Sequence, residues 1–134
     1  MNRDYSEYGK PKSLVIQLWQ TDFDDVDRAA TPFVLALTAR AMDMNVAIHA
    51  LGACVELFLA NDERRHLPVS PLNRPLSQYI QEAVDAGVII QLCSSALRDR
   101  NLSPLDFVDG CNQVIGMVSM IEAATASNTT LLTY

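Results

Sequence analysis

No phosphate cradle follows the first apolar run of this chain. Where a G-x-G-x-x-G or Walker loop would stand, the sequence reads Gln20-Thr21-Asp22-Phe23. Dinucleotide and nucleotide-triphosphate binding therefore lack their glycine-rich backbone nest. Cysteine is scarce: the three residues, Cys54, Cys93 and Cys111, form no C-x-x-C and no zinc spacing. An odd count in a cytosolic chain argues against a disulfide framework. The two histidines, His49 and His66, stand apart from any metal-ligand spacing, so no metal and no cofactor is expected. Basic charge is also thin, with 10 Lys and Arg against 16 Asp and Glu and a net charge of −6. The one basic knot, Arg64-Arg65-His66, is preceded by Asp62-Glu63 and has no interleaved aromatics, which speaks against nucleic acid as a partner. Long apolar runs are missing. Met1 to Lys12 is polar with no signal-like core, and nothing approaches a membrane span, so a cytoplasmic location is the default.

What is present reads as one domain. The chain has 134 residues, 49% apolar and 19% charged, enough to bury a core without staples. After a polar tail over residues 1–12, a single domain spans 13–134. Short β-branched runs predict five strands near 14–19, 45–50, 88–92, 111–115 and 129–133. Asp22, Asp24 and Asp25 suit a helix start, and apolar positions then recur from Val26 to Met44 at close to helical spacing. Pro32 either opens a helix capped by Thr31 or kinks a longer one, and Arg40 falls where it can face solvent. Further helices are predicted over Ala53 to Leu59, Leu76 to Ala86 with Gly87 as its stop, and Ser119 to Ala126. Asn61 to Pro75 carries three prolines and no periodicity, and reads as a long surface loop. Ser103-Pro104-Leu105-Asp106 has a capping pattern. Strands apolar on both faces and alternating with helices predict a three-layer α/β/α sandwich around a five-stranded parallel sheet.

One residue stands out by position. Cys93 ends the run Val88-Ile89-Ile90-Gln91-Leu92 and is followed by Ser94-Ser95-Ala96-Leu97-Arg98, which takes helix formers. A thiol at a strand-to-helix junction meets unpaired backbone N–H groups and the positive end of the helix dipole, and both stabilise a thiolate. The carboxyl edge of an open α/β sheet is also where ligands bind. The alternative is an inert buried thiol, since free cysteine is among the most buried residue types. Cys93 and Arg98 are separated by four residues, a count that resembles the active loop of rhodanese-type sulfurtransferases. The intervening Ser-Ser-Ala-Leu, however, lacks glycine and reads as a helical turn, which leaves Arg98 a solvated helix residue.

The pattern as a whole resembles the DsrE/DsrF-like family of sulfur-carrier proteins, including its TusD-type and YchN-type members. Four pieces carry the resemblance over residues 13–134: strand, Ala-rich helix and strand from Leu14 to Ala50; Leu51-Gly52-Ala53-Cys54-Val55-Glu56-Leu57-Phe58; Ala86-Gly87-Val88-Ile89-Ile90-Gln91-Leu92-Cys93; and Val114-Ile115-Gly116-Met117 with the helix and closing strand that end at Tyr134. The resemblance implies that Cys93 carries sulfane sulfur as a persulfide and passes it between donor and acceptor proteins. The backbone N–H groups of Ser94 and Ser95 would support the sulfur anion. Many members have a second cysteine near the first, where this chain has Ser94 and Ser95. The resemblance further implies a homo-oligomer, a trimer or hexamer, for which Leu57, Phe58 and Leu59 are apolar candidates. Two other readings stay open: a stand-alone rhodanese-like sulfurtransferase, and a non-catalytic interaction subunit in which Cys93 is merely buried.

Overall fold

The computed structural model describes residues 11–134, so all but Pro11 and Lys12 of the expected N-terminal tail lies outside the described residues. Five strands form as predicted, each within about two residues of its expected limits: β1 Ser13–Leu18, β2 Asn45–Ala50, β5 Ile89–Cys93, β6 Gln113–Ile115 and β7 Thr129–Thr133. They lie in the order β6-β5-β2-β1-β7, with every neighbouring pair parallel. Two further strands, β3 Pro68–Val69 and β4 Arg74–Pro75, make a separate hairpin.

The strand order decides where the helices go. From β1 to β2, β5 and β6 the chain steps repeatedly to the same side of the sheet. Right-handed crossovers then place α1 Ala30–Ala41, α2 Leu76–Asp85 and α3 Ser94–Asp99 on one face. From β6 to β7 the chain returns across three strands, which carries α4 Met117–Ala124 to the opposite face. Among the described residues the sandwich is therefore unequal, with three α-helices against one. The main core lies on the richer side, where Leu14, Ile16, Leu18, Val46, Ile48, Ile90 and Leu92 are at most 7% exposed. Phe33 of α1 meets Phe58 edge to face at 5.9 Å between centroids.

Several local expectations are corrected. The predicted run from Val26 to Met44 is two elements, a 3₁₀ segment Phe23–Arg28 and then α1. Asp22 accepts from the Asp24 N–H at 2.9 Å and so caps the first of them. Pro32 is the third residue of α1, where a helix N–H has no partner to lose, so it neither opens the helix nor kinks it. Arg40 turns inward: Nε donates to the Ala86 carbonyl at 2.8 Å and Nη1 to the Met44 carbonyl at 2.9 Å. Residues 61–75 are not structureless, since they contain a 3₁₀ turn Glu63–His66 as well as the hairpin. Gly52–Phe58 is a 3₁₀ segment rather than an amphipathic helix, and it buries Cys54, Val55, Leu57 and Phe58. Leu57 and Phe58, wholly buried, are core residues and not a surface for association. Cys111 lies ahead of β6 and not at its start, with its N–H donating to Val108 O at 2.9 Å. Among the described residues no helix is long and apolar enough to cross a membrane.

Candidate functional site

Cys93 is the last residue of β5 and the residue before α3. It pairs in register with Ile115 of β6. Its backbone is extended (φ −66, ψ 123), and its side chain makes no capping bond to the helix that follows. The N–H groups of Ser94 and Ser95 belong to the first turn of α3, where helix donors lack intrahelical acceptors. Both serines thus lie where the sequence predicts them, at the mouth of the junction. Ser95 also brings a side-chain contact, with its Oγ 3.1 Å from Cys93 Sγ. A hydroxyl in that position can donate to a thiolate or accept from a thiol. Cys93 itself is only 2% exposed, while Ser95 lies at the surface and Ser94 is half-buried.

The other two thiols are buried as well. Burial pushes the Cys54 thiol up to about 11, partly offset by a backbone hydrogen bond at Thr21. Burial raises Cys111 further, to about 12, against the opposing charge of Arg65. Neither is at a strand-to-helix junction, and at neutral pH both are thiols rather than thiolates.

His49 and Gln91 form a buried polar pair beside the junction. They are in register on β2 and β5, and His49 Nε2 lies 3.0 Å from Gln91 Oε1. Gln91 is two residues before Cys93, so the three side chains share one face of the sheet. Burial lowers the His49 pKa below its usual value, only partly opposed by the Gln91 hydrogen bond, so the imidazole is held neutral. Its Nδ1 has no partner. The sequence reading placed His49 in a strand but missed the pair, although period-two alternation from Cys93 back to Gln91 could have found half of it. His66 is exposed, with Nδ1 3.1 Å from Ser77 Oγ. Neither histidine hydrogen-bonds to Cys93.

Arg98 is exposed on α3, and Ser94–Asp99 is helical, so the four-residue spacing does not wrap into an oxyanion cradle. An open cleft of about 480 Å³ is lined by Leu59, Asn61, Asp62, Glu63, Leu102 and Asp106. It does not include Cys93. Two of its three acids are engaged in structure: Asp62 is hydrogen-bonded to Arg64, which holds its carboxyl below the usual range, and Asp106 closes the capping box with Ser103. Among the described residues no cluster of three His, Cys, Asp or Glu is arranged to hold a metal ion.

The fold has relatives among solved structures. The chain is similar in fold to the YchN protein from E. coli, with a TM-score of 0.71 and 16% identity over 93% of this chain and 100% of that one. A protein of unknown function from Methanobacterium thermoautotrophicum matches with a TM-score of 0.68 and 18% identity, over 92% of this chain and 99% of that one. Another, from Bacteroides thetaiotaomicron, gives 0.65 and 20%, over 99% of this chain and 100% of that one. At these identities the likeness is one of fold. No curated protein matches the sequence. The family model described as "DsrE/DsrF-like family" matches residues 15–133. With nearly the whole described chain inside that match, the protein belongs to the DsrE/DsrF-like family.

Proposed function

We propose that the protein is a sulfur-relay carrier that takes up sulfane sulfur on Cys93 and hands it to partner proteins. The observation that carries this reading is the placement of Cys93 at the end of β5 and the start of α3, with Ser95 Oγ 3.1 Å from its sulfur. In the loading step the Cys93 thiolate attacks the outer sulfur of a donor persulfide. An S–S bond to Cys93 forms, the donor S–S bond breaks, and the donor leaves as a thiolate. In the unloading step an acceptor thiolate attacks the outer sulfur, and Cys93 is released as the thiolate. No redox partner is consumed, and each thiolate exchanges its proton with solvent. The N–H groups of Ser94 and Ser95 and the Ser95 hydroxyl stabilise the sulfur anion in both steps.

The partners of this reading are sulfur-donor and sulfur-acceptor proteins of the cytoplasm, and the working form is a homo-oligomer, a trimer or hexamer. The burial of Cys93, at 2% exposure, favours a second reading, a non-catalytic interaction subunit with an inert thiol. A stand-alone sulfurtransferase has less support, because Arg98 does not form a cradle with Cys93. Persulfide trapping decides between them. The protein is incubated with a low-molecular-weight persulfide, alkylated and mapped by mass spectrometry. A gain of about 32 mass units on the Cys93 peptide supports the carrier. No gain supports the interaction subunit, and steady turnover of thiosulfate with a small-molecule thiol as sulfur acceptor and no partner protein supports the sulfurtransferase.

A further inference from the structure

One register row of the sheet is polar from edge to edge. Thr133, Gln17, His49, Gln91 and Gln113 stand side by side on β7, β1, β2, β5 and β6. The strands are otherwise largely apolar, and none of the five contains Asp, Glu, Lys or Arg. The row lies on the face that Cys93 shares, two residues before it on β5. Its middle is closed, with His49 wholly buried, while Thr133 and Gln113 at its ends are exposed. The proton positions at that middle follow from chemistry. Gln91 Oε1 can only accept, so its 3.0 Å contact assigns the hydrogen to His49 Nε2. Burial keeps the imidazole neutral, which leaves Nδ1 a bare acceptor without a partner. With Oε1 committed to His49, the Gln91 amide is held in one orientation. Gln91 is half-buried, and its Nε2 has no hydrogen-bond partner among the described residues. An amide donor is thus kept free beside the thiol.

A loaded carrier needs such a donor. Ser95 Oγ lies 3.1 Å from Sγ and so serves the sulfur of the cysteine itself. In a persulfide the charge sits on the outer sulfur, one S–S bond of about 2.05 Å beyond Sγ. Residues two apart along a strand are separated by about 6.6 Å, and their side chains lean along it. A glutamine amide at the earlier position can therefore meet a sulfur that extends from the later one. The other neighbours do not compete. Ile115, which pairs with Cys93 on β6, has no donor. His49 spends its one N–H on Gln91, and the lone pair on its Nδ1 repels an anion. Gln113 lies diagonally on β6 and is open to solvent.

We propose that the Gln91 amide supports the outer sulfur of the Cys93 persulfide, and that His49 is the positioning residue that holds the amide for it. The inference rests on the carrier reading and adds two residues to its site. Neither residue exchanges an atom with the cargo. When the acceptor thiolate attacks the outer sulfur, the bond from Sγ breaks, its electron pair stays on Sγ, and the Gln91 donor is free again.

Equilibrium loading of the full chain tests this. The protein is equilibrated with free cysteine persulfide and cysteine in fixed ratios, alkylated, and weighed at the Cys93 peptide. Gln91→Met keeps the length and removes the amide, and should lower the loading constant about tenfold. His49→Leu should lower it about threefold, and the double variant should load no worse than Gln91→Met alone. A merely structural role for His49 would instead make the two losses multiply. Gln91→Glu keeps an acceptor for His49 Nε2 but puts a like charge beside the sulfur. Its loading should fall more than tenfold, and iodoacetamide should reach its Cys93 thiolate only at higher pH than in the parent. This variant decides the matter if Gln91→Met does not fold. A parent that gains no sulfur overturns the carrier and this assignment together. A parent that loads, with both Gln91 variants equal to it, overturns the assignment and leaves the carrier standing. Losses that multiply overturn the role of His49 alone.

Discussion

The two ends of the sheet are built to different rules. At the amino edge, every return from helix to strand uses left-handed backbone, with Asp43 before β2, Gly87 before β5, Gly110 ahead of β6 and Asn128 before β7 at φ between 61 and 91, and all but the return from α3 to β6 are short turns. Arg40 ties two of these turns together through the carbonyls of Ala86 and Met44. At the carboxyl edge, β1 and β2 are followed by long excursions that reach α1 and α2 only at Ala30 and Leu76, while β5 passes into α3 with no connecting residue. The amino edge is thus committed to closing the chain, and its residues are chosen by backbone geometry. The carboxyl edge has loops to spare and one abrupt junction, and at that junction stands Cys93. A substitution at the first edge should move stability alone, and one at the junction should move chemistry alone.

The sharpest way to break that division is Cys93→Ser. It keeps the size of the side chain and removes the nucleophile, so persulfide uptake should disappear while the thermal midpoint changes little. Uptake at the parental rate would assign the chemistry to another thiol. Cys54→Ala and Cys111→Ala should retain uptake and lose about 1–2 kcal/mol of stability through packing.

Gly110→Ala probes the amino edge. A Cβ there would lie 2.6 Å from Val84 Cγ1 with φ at +84, so both contact and conformation oppose it. A loss of about 2–4 kcal/mol in urea unfolding is expected, with uptake per folded molecule unchanged. A matching loss of uptake would join the two edges into one functional unit.

Ser95→Ala sharpens the other side. Removing a hydroxyl that supports a charged sulfur should slow uptake about tenfold, or about 1.4 kcal/mol in the barrier, with no measurable change in stability. An unchanged rate would leave anion support to the backbone N–H groups of Ser94 and Ser95.

The smallest effect concerns pH. His49 is buried and its folded pKa lies below the usual 6.5, so the unfolded chain takes up a proton at a pH where the folded chain does not. Its contribution is full above pH 6.5 and is lost as the pH falls through that value toward the folded pKa. The carboxyls of Asp27 and Asp62, held below 3.8, act only at lower pH. Urea midpoints at pH 7.5 and 5.5 should therefore fall for the parent, and fall less for His49→Gln. Equal drops would show that burial of His49 costs nothing on protonation.

Much of this architecture was legible in the chain. β1, β2 and β5 read clearly because each is a short, largely apolar run, and the Cys93 junction followed from where β5 stops and α3 starts. Ser103 and Asp106 were legible because a capping box is a local hydrogen-bond pattern, and it is present. What failed depended on distant partners. The window from Gly52 to Phe58 is too short for its apolar spacing to separate a 3₁₀ plug from an amphipathic helix, so Leu57 and Phe58 were read as surface. Arg40 turned inward because carbonyls of two different turns converge on it. The closure of Cys93 depends on β6 lying alongside, and the lone cover of α4 depends on strand order. A linear pattern contains neither.

The position of β7 has a consequence for how the molecule is made. β1 is near the start of the described chain, yet one of its two edges is paired by β7, the last strand, and the N–H groups of Trp19 and Gln20 both donate to the carbonyl of Tyr134. During synthesis, β1, β2, α1 and α2 can gather as soon as they emerge, but the outer edge of β1 stays unpaired until Thr129–Thr133 arrives more than 100 residues later. Contacts of such sequence separation are slow to close and leave a strand edge open to wrong pairing in the interval. The order of assembly is thus written into the sheet, with its central strands first and its closing edge last.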